Sequence, residues 1–153
     1  MTNRATLEAL IARVVEGTGP DRELDAEIHA ATLYIKPIIP EAVVTRECQE
    51  NGFYARHHVP GSPGGVSYWH QAPPFTGSLD AVLRDLLLKG WGWAISTTGD
   101  LVPCAYGHSP DRSFWVDDTK AATPARAVCA FALRARIWIA LQISGGKDEP
   151  LGS

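Results

Sequence analysis

Between Pro124 and Ile143 the only polar side chains are Arg126, Arg134, Arg136 and Gln142. Thr123 is a good N-cap and Pro124 suits a first helical position, so the segment predicts a helix. At about 100° per residue, Val128, Phe131, Ala132, Ala135 and Ile139 share one face, which predicts contact with a β-sheet. Ala130, Leu133, Ile137 and Leu141 form a second stripe on the opposite side. A helix apolar on two sides needs two covers. The second cover is either an N-terminal helical hairpin or another copy of the protein; left exposed, the stripe is a liability. The three arginines argue against a membrane span.

The hairpin is readable upstream. Leu7, Leu10, Ile11, Val14 and Val15 follow the spacing of an amphipathic helix, which Gly17-Thr18-Gly19 stops. Pro20 reads as the first position of a second helix, with Asp21, Glu23 and Asp25 at its positive end and Leu24, Ile28 and Ala31 inside. Ser78 caps a third helix with Leu79, Val82, Leu83, Leu86 and Leu87 as its stripe, ended by Lys89-Gly90. Trp91, Trp93 and Ile95 alternate as on a strand. With Leu101–Gly107 and Ser113–Asp117 they predict a three-stranded antiparallel meander. Residues 36–77 contain six prolines and three histidines, and predict a loop-rich insertion with short strands near Ala42–Cys48 and Gly65–His70.

The expected class is therefore α+β: one domain over 1–144, with an antiparallel sheet of four to five strands sandwiched by α-helices. The tail 145–153 predicts a flexible end. Apolar content of 45% with a net charge of −3 excludes a disordered chain. A pI near 5.9 gives no cation excess for general nucleic-acid binding. Cys48, Cys104 and Cys129 are scattered, and a reducing cytoplasm fits them. The N-terminus does not read as a signal peptide, because Glu8 interrupts its apolar stretch.

Three stretches resemble a known group. They are Pro74-Phe75-Thr76-Gly77-Ser78-Leu79-Asp80-Ala81, Gly90-Trp91-Gly92-Trp93-Ala94-Ile95, and Ala121-Ala122-Thr123-Pro124-Ala125-Arg126-Ala127-Val128-Cys129-Ala130. Their order, with the opening Gly-Pro-Asp-Arg-Glu-Leu-Asp-Ala-Glu-Ile, resembles the phage ABA sandwich domain of small bacteriophage and prophage proteins. The resemblance implies an α/β sandwich in the cytoplasm of a bacterial host. It brings no assigned chemistry and no catalytic residues.

Four candidate sites follow from the residues. The first is an aromatic-cationic cluster: Tyr54, Arg56, His57, His58, Tyr68, Trp69 and His70. Rings stack on a base while Arg and His donate to phosphate, which suits a small phosphorylated, nucleotide-like ligand. The same residues read equally as half-exposed side chains of two strands. The second is metal, through Cys48, His57, His58 and His70, or Cys104 with His108. None has the spacing of a structural zinc site, so no cofactor is expected. The third, a nucleophilic enzyme, lacks both Gly-x-Ser-x-Gly and a phosphate-binding Walker loop; Asp117-Asp118 reads as a solvated pair. The fourth sets Arg126, Arg134 and Arg136 around an anion pocket at a homo-oligomer interface on the C-terminal helix; the same arginines also read as the solvated rim of that helix or as partners of the acidic hairpin.

The leading expectation is a non-enzymatic phage accessory protein that sequesters a nucleotide signal of bacterial immunity. The rivals are a protein-interaction module docking through the outer helix stripe, and a metal-dependent hydrolase using His57 or His58, His70 and Asp117.

Overall fold

In the computed structural model, residues 4–32, 43–49, 52–58, 67–97 and 99–143 are described. Four helices and six strands run in the order α1 (Arg4–Glu16), α2 (Arg22–Thr32), β1 (Val43–Gln49), β2 (Gly52–His58), β3 (Ser67–Gln71), α3 (Leu79–Asp85), β4 (Gly92–Thr97), β5 (Pro103–His108), β6 (Trp115–Lys120) and α4 (Pro124–Ile143). The tail 145–153 lies outside the described residues, as do 33–42 and 59–66.

The chain is α+β, with antiparallel strands and helices packed on them. Its strands form two sheets, β1-β2-β3 and β4-β5-β6. The second sheet is the meander expected from the Trp-x-Trp stretch and the turns after it. In the first, β2 is the strand that the aromatic-cationic cluster allowed only as its alternative reading. Phe53–His58 mixes aromatic, cationic and small residues, so it lacks the apolar alternation that marks a half-buried strand.

The helices form the middle of the molecule. α2 packs on β1 and β2, α1 packs on α2 and α4, α3 packs on α4, and α4 packs on the second sheet. A helix lies against one face of each sheet. On the second sheet, Tyr106 and Trp115 keep 40% and 53% of their surface.

α4 is the axis of the core. Phe131 faces the sheet, and Gly107 on β5 gives it room: a Cβ there would lie 2.7 Å from the Phe131 ring. Trp138 stacks on Phe114 at 5.3 Å, and both meet Trp91 edge-on. Phe131, a member of the predicted stripe, thus faces β5, while Arg134 and Trp138 to one side of it reach β6 and the residues flanking the sheet, so the contact face is rotated part-way from the centre of that stripe. From Ala125 to Ala135, nearly every side chain of α4 is buried. Hydrophobic periodicity cannot orient a helix that is apolar all round. The second stripe is covered within the chain: Leu133 and Ile137 are buried in the core shared with Leu7, Leu10, Ile11 and Val14 of α1. Of the two covers open in the sequence, the hairpin occupies this one. A copy docking on α4 would have to use the half-buried end at Ile139–Leu141.

The residues that carried the resemblance tie these helices together. α2 begins at Arg22, two residues after Pro20, because Asp21 is its cap and accepts from the Leu24 N–H at 3.0 Å. Asp25, fully buried, accepts from Arg22 and from the Thr76 N–H, each at 2.8 Å. Thr76 Oγ1 accepts from the Asp21 N–H at 2.7 Å, and Arg22 donates to the Ala72 carbonyl at 2.6 Å. Arg126 is 2% exposed. It donates to the carbonyls of Val14 at 2.9 Å, Arg13 at 3.3 Å and Gly19 at 3.0 Å. The Val14 and Arg13 carbonyls belong to the last turn of α1, where a cation also opposes the negative end of the helix dipole, and Gly19 lies in the turn that follows. Gly17 must be small here, since a Cβ would lie 2.6 Å from Arg126 Cζ.

Candidate functional site

The aromatic-cationic cluster falls on the first sheet. The pairing sets Arg56 opposite Trp69 and Thr45, His57 opposite Tyr68 and Val44, Tyr54 opposite Gln71, and His58 opposite Ser67. Alternation then places positions 54, 56, 58 and 69 on one side of the pleat and positions 57, 68 and 70 on the other. The seven residues are sheet neighbours but do not share a face.

His70 lies on the side of α2. Its ring is 6.4 Å from that of His29, which is also 6.3 Å from Phe75. Burial, and then the neighbouring His70, push His29 below its ordinary value, with Asp85 acting the other way. His29 therefore takes up its proton at lower pH in the fold than in the unfolded chain. Stability is flat above the ordinary value of 6.5 and falls as the pH drops below it. We expect His29→Gln to flatten the fall in thermal midpoint between about pH 7 and pH 5. An unchanged slope would place the titration at another group.

The three arginines of α4 have three different fates. Arg126 is spent on backbone carbonyls. Arg136 turns toward α3, where it donates to the Leu86 carbonyl at 3.0 Å. Burial lowers its pKa, and its Nε is buried with no partner among the described residues. Arg134 lines a cleft of about 420 Å³. That is within the size range of small-molecule sites, ~300–1,000 Å³. Two residues apart on a helix means about 200° of rotation, so Arg134 and Arg136 cannot frame one pocket.

Three elements build this cleft: Glu8 and Ile11 from α1, Phe114 to Asp117 at the start of β6, and Arg134 and Ile137 from α4. Its apolar wall is fixed by packing: Ile11, Val116 and Ile137 are buried, and Phe114 stacks on Trp138. Trp115 is exposed yet held. Its indole N–H donates to the Arg112 carbonyl at 3.1 Å, and its ring lies 4.6 Å from His108. Gly92 opposite leaves space for His108, for a Cβ there would come 2.7 Å from Cε1. Arg112 has φ of 61°, a left-handed conformation that non-glycine residues adopt sparingly. Strain of this kind gathers at binding sites.

The Arg134 guanidinium donates to Thr119 Oγ1 at 3.1 Å. That bond holds the fork while its other donors remain for a guest. Glu8 accepts from Arg4 at 2.8 Å, and Asp117 is exposed on β6. The lining offers one cation, two carboxylates, two aromatic rings and three aliphatic side chains. It contains no serine, cysteine, histidine or lysine.

No family model, curated protein or solved structure matches the chain. The resemblance to the phage ABA sandwich domain rests on the quoted stretches, and the structure gives Thr76, Ser78, Asp25 and Arg126 in them a packing or capping role. Among the described residues, no group of three His, Cys, Asp or Glu side chains stands close enough to hold a metal. Among them also, no helix is long and apolar enough to cross a membrane. Sequence reasoning named Arg134 but missed Glu8, Trp115 and the rest of the cleft. Asp117 was singled out, though as a solvated pair with Asp118 or as a hydrolase ligand. His70 sits beside α2, whereas Asp117 sits beside α1 and α4 on the other sheet.

Proposed function

We propose that the protein is a non-enzymatic binder of a small ligand, which it holds in the cleft between α1, β6 and α4. The observation that carries this reading is Arg134: it alone of the α4 arginines opens onto a cleft, with its orientation set by Thr119. A planar guanidinium with spare donors suits a carboxylate or a single phosphoryl group. The Phe114 and Trp115 rings, with Ile11 and Ile137, suit an apolar or planar body on it. The lining gives groups that grip and no nucleophile paired with a base. The sequence resemblance adds a phage-derived protein of the bacterial cytoplasm to this reading, and sequestration of a nucleotide signal is the specific form proposed by analogy for such a protein.

The test is calorimetric titration at low salt with phenylalanine, 3-phenylpropionate and a 3′,5′-cyclic mononucleotide. At least one is expected to bind. Arg134→Gln should weaken that binding by about tenfold, the loss of a charge-assisted hydrogen bond of ~1.5 kcal/mol. Its effect on folding should stay near 1 kcal/mol, since only the bond to Thr119 is lost. Arg134→Lys should retain part of the affinity. Absence of heat with every probe, or equal affinity in Arg134→Gln, contradicts the proposal.

A further inference from the structure

An anion bound at Arg134 leaves the other two charges of the cleft unused. Glu8 and Asp117 line it together with Arg134. Glu8 gives Oε1 to Arg4, so its charge is largely balanced. Asp117 is placed by an irregularity in β6. The register of β5 and β6 shifts between Ala105 and Gly107, and Asp118 takes φ of 44° at that point. Such a bulge re-aims adjacent side chains that regular alternation would send to opposite faces. Asp118 accepts from the Cys104 thiol at 3.7 Å, while Asp117 is an exposed residue of the cleft's lining. Two neighbouring carboxylates thereby serve different places.

This arrangement discriminates among anions. A purely anionic guest on Arg134 would gain one attraction and meet the negative Asp117 at the rim. A guest with a positive group beside its negative one meets the right sign at both ends. Its apolar part lies against Ile11, Phe114, Trp115 and Ile137. Resting on the cleft reading above, we infer that the ligand is a small zwitterion with an apolar body, of the class of aromatic or branched α-amino acids. Its carboxylate sits on Arg134 and its ammonium faces Asp117. A cyclic nucleotide brings the anion and a planar ring but no cation for Asp117, and is the weaker guest.

The test compares three near-isosteric probes by calorimetry at low ionic strength, where exposed charges are least screened. They are phenylalanine, 3-phenylpropionate and phenethylamine. Phenylalanine should bind about fivefold more tightly than 3-phenylpropionate, the size of one exposed charge pair. Asp117→Asn should erase that preference while leaving 3-phenylpropionate as tight as before or tighter. Phenethylamine should bind weakest and ignore Arg134→Gln. Asp117 is exposed on its strand, so the variant should keep the thermal midpoint; Glu8→Gln serves as a second rim variant. If 3-phenylpropionate matches phenylalanine and Asp117→Asn changes neither, the zwitterion inference is overturned while the cleft reading stands. If none of the three binds, the zwitterion inference falls, and if the cyclic mononucleotide also fails, the cleft reading falls with it.

Discussion

Arg126→Met is expected to lower the unfolding free energy by about 3 kcal/mol, because buried carbonyls lose their donors at a cost of ~1–3 kcal/mol each. Those are the carbonyls of Val14, which is buried, and Gly19, which is partly so; the Arg13 carbonyl keeps the Gly17 N–H. Methionine fills much of the volume but donates nothing. For a chain of this size the thermal midpoint should fall by roughly 10 °C. Arg126→Lys should recover only part of this, since one ammonium cannot reach three carbonyls in a fork geometry. Gly17→Ala should act through the same contact, pushing the guanidinium off its acceptors. Calorimetric melts of the three variants check the order. A shift below about 2 °C in Arg126→Met, the size of a neutral surface change, would show the carbonyls to be satisfied by water instead.

Gly107→Ala is the second large effect. The added Cβ would lie 2.9 Å from Trp93 Cα and 2.7 Å from the Phe131 ring, and still closer to the Gly92 carbonyl. Backbone of the paired strand cannot retreat as a side chain can. Overpacking of this kind costs about 3 kcal/mol or more. Phe131→Leu in the same chain should relieve the ring contact but not the backbone one, so rescue should be partial. Urea midpoints of the single and double variants decide this. Full rescue by Phe131→Leu would mean that the two strands can separate freely at Gly92.

The sequence carried the helices and the second sheet because each has a strong local signal. The stripe of α1 and the cap residues Ser78 and Thr123 appear where the spacing placed them, whereas α3 ends at Asp85, before Leu86 and Leu87 and short of the expected stop at Lys89-Gly90. It carried less of the rest. Asp21 rather than Pro20 opens α2, since a side-chain oxygen facing the Leu24 N–H outweighs a preset φ at Pro20. β2 stood only as an alternative to a ligand-binding loop because a strand holding Arg56, His57 and His58 shows no period of two. The face that α4 turns to the sheet was only partly legible because all its faces are apolar. The cleft was hidden for a different reason. Glu8, Asp117 and Arg134 are far apart in the chain, and nothing in their local patterns distinguishes them from ordinary surface charges. Only the meeting of α1, β6 and α4 makes them neighbours.

The first sheet and the cleft now compete as the place where a ligand binds. A ¹H–¹⁵N correlation spectrum, followed during titration with phenylalanine, separates them directly. The indole N–H of Trp115, the amides of 114–117 and 8–11, and the Nε–H of Arg134 should shift together and saturate at one concentration. Amides of 54–58 and 67–70 should stay in place. Shifts confined to those two strands, with Trp115 and Arg134 unmoved, would contradict the account and return the site to the β2–β3 pair.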